Sequence, residues 1–172
     1  KWKIKGNKEF LQKLPLVQKP IDLISYCVQS PILFETSLLE NIFFDNYEFE
    51  KKNQLEEKLK YWLNKLEFSG SDKLSLELNK PLDLTLDRFS KGEMQRIGLI
   101  RNFISNCPVE VYDEPTSSLD RNLSTKIANI LVERSKTKFI LISSHDKDLI
   151  DKCNIKINLD KENTKNITSL YF

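Results

Sequence analysis

The chain has 172 residues, 40% hydrophobic and 30% charged, which is enough apolar material for one globular domain with a core of its own. A net charge of +2 is too mild for a nucleic-acid surface, and the lysines are mixed with acids, as in Glu56-Glu57-Lys58, the pattern of a solvated helix face. Cys27, Cys107 and Cys153 lie far apart with no C-x-x-C pair, which argues against a disulfide framework or a zinc site and predicts buried thiols in a reducing compartment. No apolar run approaches the roughly 20 residues that span a bilayer.

Taken in chain order, Trp2 to Lys5 reads as a short strand turning at Gly6-Asn7. Ile24 to Val28 is β-branched and aromatic enough for a buried strand, ending at Gln29-Ser30-Pro31. Ser37 and Glu40 have capping-box spacing and should open a short helix. An amphipathic helix is expected from Phe49 to about Leu66, with Leu55, Leu59, Trp62, Leu63 and Leu66 on one side. Residues 67–89 mix polar turns with short apolar pieces. Ser90 and Glu93 form a second capping box, opening a helix to about Asn106. A strand at Val109–Tyr112 follows, then a helix capped by Asp120 and running to about Ser135. Another strand lies at Phe139–Ile142, with a short helix beginning near Asp146. The tail reads as two strands, Ile155–Leu159 and Ile167–Phe172. Strands alternating with helices predict an α/β parallel sheet, with a helical subdomain at about 36–106 set into a single domain covering 1–172.

The sharpest chemical signal is Val109 to Pro115, followed by Thr116-Ser117-Ser118-Leu119-Asp120. A short strand that delivers Asp113 and Glu114 at its C-terminal end puts two carboxylates where α/β sheets bind ligands. One can hold Mg²⁺, usually through water, and the next can polarise an attacking water. Glu110, inside an otherwise apolar strand, would be costly if unpaired; it is expected near the exposed start of the strand or hydrogen-bonded.

Asp113-Glu114 resembles the Walker B motif of the ABC ATPase family, and Ser118-Leu119-Asp120 resembles its D-loop. Phe89-Ser90-Lys91-Gly92-Glu93 is similar to the family signature L-S-G-G-Q, with Lys91 in place of the first glycine and Glu93 in place of the glutamine. A Ser hydroxyl and free N–H groups at a helix N-terminus suit an anion, and Gly92 lets backbone approach a phosphate closely. Gln29 resembles the Q-loop glutamine that reaches toward Mg²⁺ and water, and Pro31 to Ile42 is similar to the same stretch of exporter-type ATPases. His145, the single histidine, resembles the switch histidine that contacts the γ-phosphate.

The resemblance implies a P-loop NTPase-like sheet, ATP and Mg²⁺ as ligands, and a head-to-tail pair with a second ABC ATPase domain. Ser90, Lys91, Gly92 and Glu93 would then act in trans, and Asp113, Glu114, Gln29 and His145 in cis. Ser118 and Asp120 would lie at the seam. A transporter's transmembrane domain on the cytoplasmic face of the membrane is the other implied partner, and nucleic acid is not expected. No G-x-x-x-x-G-K-[ST] run occurs in the 172 residues. Trp2–Asn7 resembles the strand that follows the phosphate-binding loop in the family, so the loop, its strand and its helix are expected just before residue 1, and the chain alone is expected to be inactive. Residues 75–89 do not match the acidic, Gly-containing loop that exporters often carry. Two other readings stay open: a soluble ABC ATPase acting on ribosomes or DNA ends, and a non-catalytic fragment that only dimerises or docks.

Overall fold

Three short apolar segments pair side by side as parallel strands: β1 (Ile24–Cys27), β2 (Val109–Asp113) and β3 (Phe139–Ser143), in the order β1-β2-β3. The computed structural model describes residues 23–43, 52–68, 78–82, 89–105 and 107–157. The register sets Cys27 opposite Tyr112, and Tyr112 opposite Ile142. Because side chains alternate along a strand, this row faces one way and packs into the core, where Cys27 and Tyr112 are buried. The other face presents Ile24, Tyr26 and Leu141, each about half exposed. The expected first strand at 2–5 and the last one at 167–172 lie outside the described residues.

Five helices complete the described part: α1 (Leu38–Phe43), α2 (Lys52–Lys65), α3 (Lys91–Ile104), α4 (Arg121–Arg134) and α5 (Lys147–Asp151). Each expected cap forms. Ser37 Oγ accepts from the Glu40 N–H at 3.1 Å, and Glu40 Oε2 accepts from the Ser37 N–H at 2.9 Å; that Ser37 N–H and the Ser37 hydroxyl, donating to the same oxygen, hold the exposed Glu40 carboxyl below its ordinary pKa. Asp120 Oδ1 accepts from the Leu123 N–H at 3.0 Å, and Asp146 caps α5 through the Asp148 and Leu149 N–H groups. Such caps satisfy amides that a helix leaves unpaired at its start.

Helix α2 buries Leu55, Leu59 and Leu63, and Leu66 follows it into the same core cluster, which also takes Ile97, Leu99 and Ile100 from α3. Trp62 of that predicted stripe is partly buried and stacks on Phe103 with ring centroids 4.8 Å apart. Helix α3 lies close to the turn after β1: a Cβ on Gly98 would fall 2.4 Å from Pro31 Cγ and 3.5 Å from Cys27 Sγ. Buried Asn41 fixes the next turn, donating to Phe34 O at 2.9 Å and accepting from the Phe34 N–H at 2.9 Å. Arg101 Nε reaches the Asn41 carbonyl at 2.7 Å, so α3 holds both the turn after β1 and the start of α1.

Two expectations need correction. Cys27 is buried, but Cys107 and Cys153 are only half-buried. The strand expected from Ile155 does not form over the described residues 155–157, which pair with none of the described strands, and Ile155 and Ile157 are exposed; β-branched composition alone does not make a strand without a ladder to satisfy its amides. Of the two settings expected for Glu110, the second holds: it is fully buried and hydrogen-bonded to Arg134, Lys138 and Tyr112.

Candidate functional site

A parallel sheet brings all its strand C-termini to one edge, where the connecting loops leave a crevice. Here the three strand ends deliver Gln29 after β1, Glu114 after β2 and His145 after β3. These side chains, with Thr116, Ser117 and Leu119 among others, line one open cleft of about 750 Å³. Glu114 is 15% exposed in its side chain and His145 is 99% exposed; His145 Nε2 stands 3.6 Å from Glu114 Oε1. The His145 N–H also points to Glu114 Oε2 at 3.4 Å. The carboxylate and the imidazole face the same cleft, where a bound group can meet both.

Glu114 has a positive φ of 46°, a backbone region costly for a side chain of this size and held only where neighbours enforce it. Its N–H donates to Ser143 O at 2.8 Å, and its carbonyl accepts from the Ser117 N–H at 3.2 Å. The turn at 115–119 therefore begins under strain and ends at Asp120, the cap of α4. Thr116 Oγ1 donates to Asp146 Oδ2 at 2.8 Å, tying this turn to the segment that carries His145.

Asp113 ends β2, half-buried, and does not line the cleft. Among the described residues no group of three or more His, Cys, Asp or Glu could hold a metal by itself. The donors at the strand ends are oxygens from Asp113, Glu114 and Gln29. That fits Mg²⁺, which takes one or two carboxylates, keeps several waters and shares a substrate's phosphates.

The predicted signature residues lie apart from this cleft. Ser90 caps α3 reciprocally with Glu93: the Ser90 N–H donates to Glu93 Oε2 at 2.7 Å, and Ser90 Oγ accepts from the Glu93 N–H at 3.2 Å. Lys91 is exposed. Gly92 sits against the turn after β2, where a Cβ would fall 3.0 Å from Ser118 O. So the α3 N-terminus, Ser90–Glu93, meets the turn after β2 at Ser118, Asp120 caps α4 beyond that turn, and none of these residues lines the cleft of Gln29, Glu114 and His145.

Sequence reasoning missed Gln95. It is 1% exposed and links α3 to the turn after β2, its Oε1 accepting from the Ser118 N–H at 2.9 Å and its Nε2 donating to Ser117 Oγ at 3.3 Å and to the Glu114 carbonyl. The available signal was an amide side chain among the apolar positions of α3, two residues after a capping box.

Residues 4–117 match the family model described as ABC transporter. The chain belongs to the ABC transporter family. The matched region contains Gln29, Ser90–Glu93, Asp113 and Glu114, and stops short of Ser118, Asp120 and His145. The chain is 34% identical over 124 residues to the lipoprotein-releasing system ATP-binding protein LolD of Ehrlichia canis, covering 70% of this chain and 50% of that protein. It is 27% identical over 153 residues to the glutathione/L-cysteine transport system ATP-binding/permease protein CydC of Haemophilus influenzae, covering 81% of this chain and 25% of that protein. The chain thus spans about half the length of the LolD relatives it matches. The fold is also that of a solved structure, the ATP-binding cassette MJ0796 in a dimeric post-hydrolysis state bound to ADP and Pi. The TM-score is 0.58 at 20% identity, with 84% of this chain and 60% of that one covered.

Proposed function

We propose that the chain is the ATP-hydrolysing part of a membrane transporter, working in the cytoplasm against the membrane's inner face. The observation that carries this reading is the meeting of Gln29, Glu114 and His145 in one cleft at the strand ends. Glu114 is the proposed base: its carboxylate takes the proton of an attacking water, while Gln29 orients that water. His145 donates to the γ-phosphate as charge builds on it. Mg²⁺, when bound, neutralises the phosphates, and Asp113 is the residue that holds it through water. Catalysis of this kind is mostly positioning and charge stabilisation, so several modest donors share the task.

Two chains pair head to tail in this reading. Ser90, Lys91, Gly92 and Glu93 complete the partner's nucleotide site, with Ser118 and Asp120 at the seam. Their placement outside the Glu114 cleft supports this division. The described helices α1 to α3 belong, in this reading, to a helical subdomain at about 36–106 set into a P-loop NTPase-like core, and export is the favoured direction. The Pro31–Ile42 stretch supports it, as does a lipoprotein-releasing relative.

The 172 residues contain no G-x-x-x-x-G-K-[ST] run, the cradle for β- and γ-phosphates. Mg-ATP binding by this chain alone is expected to be weak. The same absence favours a second reading, a module that pairs or docks without turnover. Mg-ATP-dependent pairing of the transporter's ATPase parts, followed by light scattering, separates the two readings. Pairing that needs ATP supports the first, and pairing indifferent to nucleotide supports the second.

A further inference from the structure

Glu114 carries its proposed role from a strained backbone, and strain of this kind persists only where surrounding groups hold it. On the N–H side the hold is Ser143 O at 2.8 Å, part of the ladder between β2 and β3. On the carbonyl side it is the Ser117 N–H at 3.2 Å and the Gln95 side-chain amide. Gln95 is the only one of these holds that comes from another helix. It projects from the first turns of α3, two residues beyond the Ser90–Glu93 capping box.

The same amide reaches the next residues of the turn. Its Nε2 lies 3.3 Å from Ser117 Oγ, and its Oε1 accepts the Ser118 N–H at 2.9 Å. At 1% exposure these bonds face no competition from water, and a broken one leaves a buried polar group unpaired. Gly92 closes the contact one turn earlier, with room for no side chain beyond a hydrogen before Ser118 O.

We infer that Gln95 is a positioning residue that locks the N-terminus of α3 to the turn after β2, fixing the Glu114 carboxylate and the Ser90–Glu93 group as one rigid unit. This rests on the reading of Glu114 and the α3 N-terminus as parts of two different nucleotide sites. On that reading, a shift at one nucleotide is carried to the other through this side chain and the Gly92 contact beside it.

The test compares three variants in the transporter's complete ATP-hydrolysing assembly. Gln95→Leu removes every polar bond. Gln95→Glu keeps an acceptor for the Ser118 N–H and removes the donor to the Glu114 carbonyl. Ile97→Val, in the core of the same helix, is the control for simple loss of packing. Two readouts are taken: amide hydrogen exchange at Ser118 in the nucleotide-free chain, and kcat with KM for ATP.

Gln95→Leu should speed exchange at Ser118 by about tenfold or more, a local opening that exchange reports directly. Gln95→Glu should keep Ser118 protected, yet lower kcat by roughly 10- to 100-fold, the effect of misplacing a reacting group by an ångström or less. Its KM should stay within about twofold, since no ATP contact is lost. Ile97→Val should leave both readouts nearly unchanged. Unchanged Ser118 exchange in Gln95→Leu overturns the inference, as does an equal loss of kcat in Ile97→Val. If the unsubstituted assembly hydrolyses no ATP, the functional reading fails instead, and Ser118 exchange alone decides whether Gln95 is the lock. Should Gln95→Leu fail to fold, Gln95→Glu carries the test.

Discussion

Arg134 meets the carboxylate of Glu110 with two nitrogens of its guanidinium, Nε to Oε2 at 2.9 Å and Nη2 to Oε1. Lys138 Nζ joins at 2.9 Å and the Tyr112 hydroxyl donates at 2.7 Å. Glu110 is wholly buried in β2, while Arg134 ends α4. The pair therefore ties the last turn of that helix to the strand that carries Asp113 and Glu114.

Removing Arg134 would take from the buried Glu110 carboxylate its two-nitrogen partner and leave Lys138 and Tyr112 to hold it. Arg134→Leu should cost about 3 kcal/mol, the usual penalty for breaking a buried pair from one side. Urea unfolding measures it. The exposed Lys136–Glu133 pair supplies the contrast, since such pairs contribute little; Lys136→Ala should leave the urea midpoint where it was.

Stability should also fall in acid in a way that depends on this cluster. Burial pushes the Glu110 carboxyl up, but hydrogen bonds from Arg134, Tyr112 and Lys138 outweigh that and leave it below its ordinary value. A carboxyl depressed in the folded state stabilises it above the ordinary carboxylate pKa of about 4.3. That contribution is lost as pH falls toward the folded value. Urea midpoints between neutral pH and about pH 3 should drop more steeply for the unsubstituted chain than for Arg134→Leu. Parallel curves would contradict the assignment.

Gly98 is a spacing residue. Alanine is worth up to about 1 kcal/mol over glycine inside a helix, yet its Cβ would sit 2.4 Å from Pro31 Cγ. A proline ring cannot swing aside, so overpacking should dominate and Gly98→Ala should destabilise by about 1–3 kcal/mol. A rise in thermal midpoint would show that the turn after β1 yields freely.

The thiols should react unequally. Burial pushes the Cys27 thiol up to about 12, and its side chain is buried under α3. Thiolates are the reactive form, so alkylation near pH 8 should modify Cys107 and Cys153 in the native chain. Cys27 should remain free until the chain is unfolded, and mass spectrometry of the alkylated peptides reads the order.

Much of this was legible before any coordinates. The three described strands, the four caps at Ser37, Ser90, Asp120 and Asp146, and the hydrophobic side of α2 follow from local chemistry that short windows reveal. The strand–Asp113–Glu114–Pro115 run placed carboxylates at the sheet's ligand edge for the same reason. What local patterns could not give is pairing over distance. The partners of Glu110 lie 24 and 28 residues away in α4 and the turn beyond it. Gln95 is bonded to residues 19 to 23 positions downstream; its place among apolar positions of α3 hints at burial but not at these partners. Residues 155–157 are the converse error: composition suited a strand, but they join none of the described strands.

The most direct test of the central claim, that Glu114 is the base of an ATP hydrolysis site, is steady-state turnover by Glu114→Gln in the complete transporter assembly. The amide keeps the shape of the side chain and cannot take a proton from water. Turnover should fall by at least about 100-fold, the scale of a general base's contribution, while ATP-driven pairing persists. Hydrolysis at the unsubstituted rate would contradict the account.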